Sequence, residues 1–394
     1  MSDREPPPWI TPADAPLSPP VGMRDLLGET VQRRRAIARA ALAAFARYGY
    51  EQVITPAFER EDVLLRGAGA DARDLVRFLD PDTAEVLALR SDMTPQVARI
   101  VATRPGTPMP CRLSYEGSVL RRARGRSSRQ RQLSQTGVEC VGWASPDADL
   151  EVLRVTLEAL RDNGIRDVVV ELSHAAPLRA ALAGVPEHAV DAVADGLARK
   201  DRAAWEHPLR ALPGAASALS AVCALSGEAT EVCGRVRGVL GGLVDAGTLD
   251  EVASMERCAR AVLAEGLARS VLADLGELRG QAYYTGAFFQ VFVAGAPSAV
   301  AAGGRYDQLL AGFGVDLPAT GAAIDLDAVA SLRGEVELGE VERVVVAGPA
   351  DSRAPLAARL RELGAVAIER DLASDDELTR FARAARAKRV IRAE

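Results

Sequence analysis

Two stretches of ten residues, Cys111–Leu120 and Gln132–Val141, flank a segment rich in arginine, serine and glycine. This pattern predicts two long strands joined as an antiparallel hairpin. The joining segment holds six arginines in eleven residues, and so many guanidinium groups cannot be buried unpaired. It is therefore either a solvated loop or a loop that faces a nucleotide, a phosphate or an acidic protein surface. Its arginines are Arg121, Arg122, Arg124, Arg126, Arg129 and Arg131.

The spacing of apolar residues predicts further elements in the first three quarters of the chain. Apolar residues recur at helical spacing in three stretches, which we predict as the helices 30–48, 95–103 and 147–163. Gly49 is placed to end the first helix, and Pro95 stands in a first turn, where its missing N–H costs nothing. Short apolar runs predict strands at 51–54, 86–89, 111–120, 132–141, 168–172, 287–293 and 319–324.

Changes in composition along the chain predict its organisation. Residues 1–20 are rich in proline, which predicts a disordered arm. In 176–265 alanine and leucine dominate and no strand is predicted, so we expect a helical insertion between core segments 21–175 and 266–335. The tail, 341–394, alternates strands and helices, which predicts a small parallel α/β unit. Its predicted elements are 344–347, 354–363, 366–369, 375–387 and 390–391.

Composition excludes several classes of function. The net charge of −6 argues against a general nucleic-acid binder. The five cysteines are odd in number and none forms a C-x-x-C pair, which favours reduced thiols over a disulfide framework. The three histidines are not spaced as metal ligands, so we expect no metal. With no signal-peptide core and no apolar run long enough to span a membrane, we expect a cytoplasmic protein that contacts no membrane.

Three segments carry residues suited to a small-molecule pocket. Gln135 and Glu139 share one face of a strand, where either a ligand ammonium or outward exposure would satisfy them. Paired tyrosines in 279–286 either wall a pocket or pack in the core. The glycines of 302–307, a segment that joins two predicted strands, indicate a tight turn or a close approach of the backbone to a ligand.

No catalytic motif emerges from the sequence. Ser173-His174 has no evident acid partner for a triad, and no P-loop, H-E-x-x-H or G-x-S-x-G is present. We therefore expect no catalytic residues and no cofactor.

Five segments in this order resemble the catalytic domain of histidyl-tRNA synthetases, from about residue 21 to residue 329. The resemblance implies an α+β fold of the class II aminoacyl-tRNA synthetase type. Such a fold has an antiparallel sheet with flanking helices. To this core the chain adds the helical insertion and the small C-terminal α/β unit. The segments are GYEQVITPAFE, LRSDMT, the hairpin with its RLSYEGSVLRR and RQLSQTGVECVG arms, RGQAYYTGAFFQ and AGGRYD.

Position by position, the resemblance implies a pocket for L-histidine. Asp92 and Thr94 fall where the family contacts the amino group of the amino acid. Gln135 and Glu139 fall on positions that hold its amino group and imidazole side, and three tyrosines fall on the pocket wall. Arg279 stands where the family has its catalytic arginine. The implied pocket residues are Asp92, Thr94, Gln135, Glu139, Arg279, Tyr283, Tyr284 and Tyr306.

The chain departs from the family mainly on the ATP side. Motif 2 of active synthetases reads Phe-Arg-x-Glu, whereas here Arg121 remains and Ala123 replaces the adenine-reading Glu. Motif 3 should end in Gly-Leu-Glu-Arg, but the segment here is Asp325-Leu326-Asp327-Ala328, so the arginine that clamps the γ-phosphate is missing. The histidine signature also differs, with Gln281-Ala282 for Leu-Asp, and Asp92 replaces a Glu. These two changes leave open a different amino-acid ligand.

This mixture resembles a paralogous family, the regulatory subunits of short-form ATP phosphoribosyltransferase. The resemblance implies a non-catalytic partner of a short catalytic subunit, required for its activity and for feedback inhibition by histidine in the first step of histidine biosynthesis. It also implies a homodimer, formed through the motif 1 region, within a hetero-oligomer that we expect to be a hetero-octamer. Because the tail is about half the length of a synthetase anticodon-binding domain, we do not expect a tRNA partner. The alternatives are a histidyl-tRNA synthetase with residual activity and an RNA-binding module that uses the arginine-rich loop.

Overall fold

A computed structural model of the chain describes residues 19–66, 72–121, 130–278, 283–333, 342–371 and 374–394. The chain divides into two compact units, residues 1–334 and 335–394. Most of the proline-rich arm, residues 1–18, lies outside the described residues, as do most of the arginine-rich loop and the segment 279–282.

The first unit contains eleven α-helices among its described residues, and their bounds follow from local signals. Gly28 and Gly49, both at positive φ, flank the first helix. The Ser145 hydroxyl caps the fourth by accepting a hydrogen bond from the Asp147 N–H at 3.2 Å. The helices are α1 (Glu29–Arg47), α2 (Glu61–Leu65), α3 (Thr94–Ala102), α4 (Pro146–Asp162), α5 (Ala175–Leu182), α6 (Glu187–Ala198), α7 (Arg202–Glu206), α8 (Pro213–Cys223), α9 (Ala229–Leu240), α10 (Ala246–Ala264) and α11 (Leu326–Leu332).

The strands of this unit form two sheets. The larger has nine strands in the order β1-β5-β6-β12-β11-β10-β7-β9-β8, and the smaller has the order β2-β4-β3. From β5 to β7 every pair of the larger sheet is antiparallel, whereas β1 joins β5 and β9 joins β7 in parallel. The strands are β1 (Glu51–Gln52), β2 (Phe58–Arg60), β3 (Val76–Leu79), β4 (Val86–Leu89), β5 (Cys111–Leu120), β6 (Gln132–Val141), β7 (Val168–His174), β8 (Ser226–Glu228), β9 (Ser270–Asp274), β10 (Ala287–Val293), β11 (Ala301–Arg305) and β12 (Ala319–Asp325).

The larger sheet separates two hydrophobic cores. On its back face, residues such as Val138 and Cys140 pack with α1, α4 and the helices of 175–264. On its front face, Tyr115 and Val141 pack with Met93 and with α3. The helices of 175–264 thus share the back core of the first unit. That they form an inserted subdomain stays a prediction.

The second unit is a parallel three-stranded sheet with two helices. Its strand order is β14-β13-β15, and both pairings are parallel. A capping box at Ser374 and Glu377 starts its second helix. The elements are β13 (Arg343–Ala347), α12 (Ala350–Glu362), β14 (Val366–Arg370), α13 (Asp375–Ala384) and β15 (Arg389–Arg392).

The predicted α+β class is confirmed, and so are the long hairpin, the helices α1, α3 and α4 and the parallel α/β tail. The prediction of a tight turn in 302–307 is wrong, because Gly303 and Gly304 lie in β11, which pairs with β10 on one side and β12 on the other. A Cβ at Gly303 would lie 2.5 Å from the Ala322 Cβ, so close packing accounts for this glycine. The prediction that 176–265 contains no strand is also wrong, since β8 lies in this range and pairs with β9. The first predicted strand ends at Gln52, two residues early.

Candidate functional site

A cavity of about 550 Å³ opens on the front face of the larger sheet, over β6, β11 and β12. This volume lies within the usual range for a small-ligand site. The sequence-predicted pocket residues that surround it are Asp92, Thr94, Gln135, Glu139, Tyr283, Tyr284 and Tyr306. Arg121 also lines it, and among the described lining residues it is the one cation. Arg279 lies outside the described residues.

The strand β6 directs two polar side chains into the cavity. Gln135 and Glu139, four residues apart, point to the same face and are 6% and 1% exposed. Gly321 lies opposite Glu139 on β12, and a Cβ there would overlap the Glu139 carboxylate. A Cβ at Gly137 would lie 2.6 Å from the Tyr115 hydroxyl. These two glycines make room for a carboxyl group and an aromatic ring on the floor of the cavity.

Three hydroxyl groups hold the Glu139 carboxylate. The Thr94 hydroxyl donates a hydrogen bond at 2.7 Å, the Tyr115 hydroxyl donates one at 3.2 Å, and the Tyr306 hydroxyl donates one to the other oxygen. Among the described residues, no arginine, lysine or histidine forms an ion pair with Glu139. Burial raises the pKa of Glu139 to about 8, although the three hydrogen bonds favour the ionised form.

The segment that joins β4 to α3 brings a second carboxylate to the cavity. The Asp92 carboxylate accepts hydrogen bonds from the N–H groups of Met93 at 2.6 Å and Thr94 at 3.3 Å, at the start of α3. Met93 is fully buried in the front core, so this segment is fixed to the sheet. The cavity therefore holds two carboxylates, Asp92 and Glu139.

Aromatic rings form one wall of the cavity. The ring of Tyr283 lies 5.2 Å from that of Tyr284, edge to face, and 5.2 Å from that of Tyr306. Tyr284 stacks on Phe288 at 5.1 Å. The Tyr283 hydroxyl and the Gln135 Nε2 are buried and make no hydrogen bond in the described part of the chain. A ligand in the cavity would supply their partners.

The end of the cavity lined by Arg121 and Asp325 has one cation among its described lining residues. The Arg121 Nε donates a hydrogen bond to the Ser91 carbonyl at 3.0 Å. Asp325 caps α11 by accepting hydrogen bonds from the N–H groups of Asp327 and Ala328, both at 2.9 Å. Asp327 pairs with Arg24 at 2.9 Å and accepts a hydrogen bond from the Ser134 N–H at 3.1 Å. Asp325 and Asp327 thus act as a helix cap and a structural anchor.

Sequence reasoning missed Tyr115, which contacts Glu139 from the neighbouring strand. The available signal was its position on β5, two residues from Leu113 and two from Gly117, because residues two apart lie on the same face of a strand. It also missed the acid partner of His174, because that partner is 77 residues away. The buried His174 Nε2 lies 3.2 Å from the Glu251 Oε2, and its Nδ1 accepts a hydrogen bond from the Ala176 N–H at 3.3 Å. This pair lies on the back face of the sheet, away from the cavity.

The arginine-rich loop is only partly described. Arg121 lines the cavity, and the Arg131 N–H donates a hydrogen bond to the Gly22 carbonyl at 2.8 Å. The remaining four arginines, and the departing pair Gln281-Ala282, lie outside the described residues. Within the described ranges, no group of three potential ligands could hold a metal ion, and no helix is long and apolar enough to cross a membrane.

Comparisons with known proteins agree with this architecture. A model of the histidyl-tRNA synthetase family matches residues 22–329. A solved structure from Bacillus halodurans C, described as an ATP phosphoribosyltransferase regulatory subunit/histidyl-tRNA synthetase, has a TM-score of 0.81 at 23% identity and covers 96% of this chain and 98% of its own. A histidine–tRNA ligase subunit from Alicyclobacillus acidocaldarius has a TM-score of 0.67 at 29% identity and covers 81% and 97%. Fold and pocket together define a chain of the histidyl-tRNA synthetase class.

Curated relatives narrow this class. A protein of Geobacter sulfurreducens is 34% identical over 361 residues, which cover 87% of this chain and 80% of its own. One of Anaeromyxobacter sp. strain Fw109-5 is 41% identical over 318 residues, which cover 79% and 91%. Both are ATP phosphoribosyltransferase regulatory subunits. The chain belongs to the family of ATP phosphoribosyltransferase regulatory subunits, as the sequence resemblance predicted.

Proposed function

We propose that the chain is a non-catalytic subunit that binds L-histidine and controls a short catalytic subunit of ATP phosphoribosyltransferase in the first step of histidine biosynthesis. The observation that carries the ligand is Glu139, a buried carboxyl group held by three hydroxyls without a cation from the described part of the chain. A small basic molecule would supply the missing charge or proton.

The cavity suits histidine at both of its basic ends. Glu139 is almost fully buried and is held by the hydroxyls of Tyr115 and Tyr306, whose rings would fit the edge and face of an imidazole. Asp92 is less buried and suits the ammonium group. The unpartnered Gln135 Nε2 and Tyr283 hydroxyl are available for the remaining polar atoms.

The same cavity gives poor support for amino-acid activation. ATP carries several negative charges. The transfer of its phosphate-bearing groups depends on cations placed against those charges. Arg121 is the one cation among the described lining residues, and Asp325 adds a carboxylate at that end. With Ala123 and Ala328 in place of the family's Glu and Arg, we expect no aminoacylation.

The edge strand β1 offers a surface for a second copy. Ile54, which follows it, is 89% exposed, and a cavity of about 600 Å³ lies alongside, lined in part by Val53 and Ile100. An exposed isoleucine beside an open sheet edge favours association. We propose a homodimer through this motif 1 region, within a cytoplasmic hetero-octamer with the catalytic subunit and without tRNA.

Feedback control requires histidine to bind one state of the assembly more tightly than another. Two measurements on the purified chain test the proposal. Calorimetric titration should show binding of histidine, and histidine-dependent ATP–pyrophosphate exchange should be absent. Robust exchange would instead favour an active synthetase, and binding of another amino acid but not histidine would refute the proposed ligand.

A further inference from the structure

Two cations from the helices of 175–264 hold the segment that connects β9 to β10. This segment carries Tyr284, whose ring lines the cavity. The Arg179 side chain, on α5, donates a hydrogen bond from its Nη2 to the Tyr284 carbonyl at 2.8 Å. At the start of the same helix, the Ala175 N–H donates one to the Gly286 carbonyl at 3.1 Å. The helix α5 therefore fixes the cavity wall at its β10 end.

Lys200 is the second cation and holds the other end of this segment. Its Nζ lies 2.6 Å from the Asp274 Oδ2 and 3.3 Å from the Glu277 Oε2. Glu277 is 3% exposed, so an ammonium group beside its carboxylate offsets part of the cost of burying that charge. The Asp274 Oδ1 also accepts a hydrogen bond from the Gly276 N–H at 2.9 Å, which closes a turn after β9. The segment is thus anchored to the end of α6 before it reaches the cavity wall.

The backbone at Lys200 has a conformation that favours a different residue. Lys200 follows α6 with a φ of 54°, in the left-handed region that glycine usually occupies after a helix. Its N–H donates to the Leu197 carbonyl and the Asp201 N–H donates to the Gly196 carbonyl, both at 2.9 Å, as in a Schellman motif. The backbone alone favours glycine at this position, so the two ion pairs are what a lysine adds.

A second path joins Asp274 to the cavity wall across the larger sheet. The Ser173 hydroxyl donates a hydrogen bond to the Asp274 carbonyl at 2.7 Å. Ser173 lies opposite Phe288 in the pairing of β7 with β10, and residues directly opposite each other share a face of the sheet. Phe288 stacks on Tyr284 at 5.1 Å. A shift of Asp274 therefore reaches the wall through packed side chains as well as along the chain.

We propose that Arg179 and Lys200 are positioning residues of the histidine cavity, through which the helices of 175–264 hold its aromatic wall in place. This inference rests on the proposed function, which supplies the ligand. Neither residue is among the described residues that line the cavity, so both act on the ligand through the wall. A ligand that fixes the wall also fixes Asp274 against Lys200. Histidine binding and the order of these helices therefore depend on each other.

Lys200→Gly removes the ammonium group without straining the helix end, because glycine suits the left-handed backbone. Calorimetric titration of the full chain should show histidine binding at least about fivefold weaker in Lys200→Gly and in Arg179→Ala. Lys200→Arg, which keeps a cation beside the two carboxylates, should restore the affinity. Arg199→Ala, which changes the exposed neighbour of Lys200, is the matched control and should bind as the wild type does. Wild-type affinity in Lys200→Gly or Arg179→Ala would overturn the inference for the residue concerned.

Hydrogen exchange distinguishes positioning of the wall from a merely structural role. In the wild type, saturating histidine should slow the exchange of the amides at positions 200 and 201, which close the end of α6, by at least about fivefold. In Lys200→Gly, histidine at saturation should leave the exchange of these amides unchanged.

The outcomes separate the inference from the proposed function on which it rests. If histidine binds but does not slow exchange at positions 200 and 201 in the wild type, the inference is overturned and the proposed ligand stands. The same holds if the slowing persists in Lys200→Gly, since the ammonium group would then play no part in the link. No binding of histidine by the wild type would overturn the proposed ligand and, with it, the inference.

Discussion

At the scale of single residues, Gly321 and Glu139 show how tightly the floor of the cavity is built. These residues face each other across β6 and β12, and the glycine leaves the space that the carboxyl group fills. A side chain at 321 would force Glu139 away from its three hydroxyl partners. The geometry of the cavity thus depends on a residue that contributes no polar side-chain atom.

We predict that Gly321→Ala destabilises the chain by about 1–3 kcal/mol, the usual range for overpacking a buried site, and abolishes histidine binding. Urea unfolding and calorimetric titration measure the two effects. Gly238→Ala in α9 is the control, because a Cβ there meets nothing within 4 Å, and it should be neutral or slightly stabilising. Undiminished histidine binding by Gly321→Ala would contradict this assignment of the cavity floor.

Glu139 should also impose a pH dependence on the stability of the ligand-free chain. Burial raises its pKa from an ordinary 4.5 to about 8, so the folded state keeps a proton that the unfolded state loses above pH 4.5. The unfolding free energy should therefore fall as the pH rises from 4.5 to 8, by up to about 1.4 kcal/mol per unit, and level off above 8. The unfolding free energy of Glu139→Gln should lack this fall. Comparing its pH dependence with that of the wild type isolates the contribution of Glu139. Parallel curves would contradict the assigned protonation.

The sequence located much of this cavity at the residue scale. Gln135 and Glu139 could be paired because a four-residue spacing keeps two side chains on one strand face, and the structure brings both into the cavity. Tyr115 could not be chosen from spacing alone, since its role depends on the register between β5 and β6. The partner of His174 was hidden for the same reason, because Glu251 meets it only through tertiary packing.

At the scale of elements, Arg90 joins three segments around the cavity. Its side chain is 9% exposed and donates hydrogen bonds to the Thr55 carbonyl and hydroxyl, both at 3.0 Å, to the Pro56 carbonyl at 3.2 Å and to the Ser118 carbonyl at 2.7 Å. It follows β4 and immediately precedes the segment that carries Asp92 and Thr94. The guanidinium thus fixes that segment to β5 and to the stretch that follows the edge strand.

We predict that Arg90→Met destabilises the chain by about 2–4 kcal/mol, because one buried and two partly buried carbonyl groups lose their donor. It should also weaken histidine binding, since Asp92 and Thr94 lose their support. Urea unfolding and titration test both effects. Arg202→Met, which removes an exposed pair with Glu206, should change stability by less than about 1 kcal/mol. Equal effects of the two variants would contradict the role of Arg90.

Long elements with strong periodicity could be predicted, and short ones could not. The ten-residue strands β5 and β6 and the helices α1 and α4 carry enough apolar positions to define a period. The strands β2, β8 and β9 have five residues or fewer and acquire their structure by pairing with neighbours. In β11 the paired glycines resembled a turn, although tight packing between strands was what required them.

At the scale of the whole molecule, the account depends on association through the edge of the larger sheet. We predict that Ile54→Glu shifts the chain toward a monomer, because the change places a charge on a surface that would be buried between copies. Sedimentation velocity over a range of concentrations measures this shift. Val190→Glu, at another exposed apolar position on α6, should leave the oligomer unchanged. A dimer that survives Ile54→Glu at wild-type affinity would place the interface elsewhere.

The measurement that tests the central claim most directly is reconstitution of a short ATP phosphoribosyltransferase catalytic subunit with this chain, assayed with and without histidine. The account predicts low activity of the catalytic subunit alone, an increase of at least about tenfold on adding the chain and loss of that increase as histidine saturates the cavity. Such a change corresponds to about 1.4 kcal/mol or more of coupling. Activity that is independent of this chain, or that histidine leaves unchanged in the assembled complex, would contradict the account.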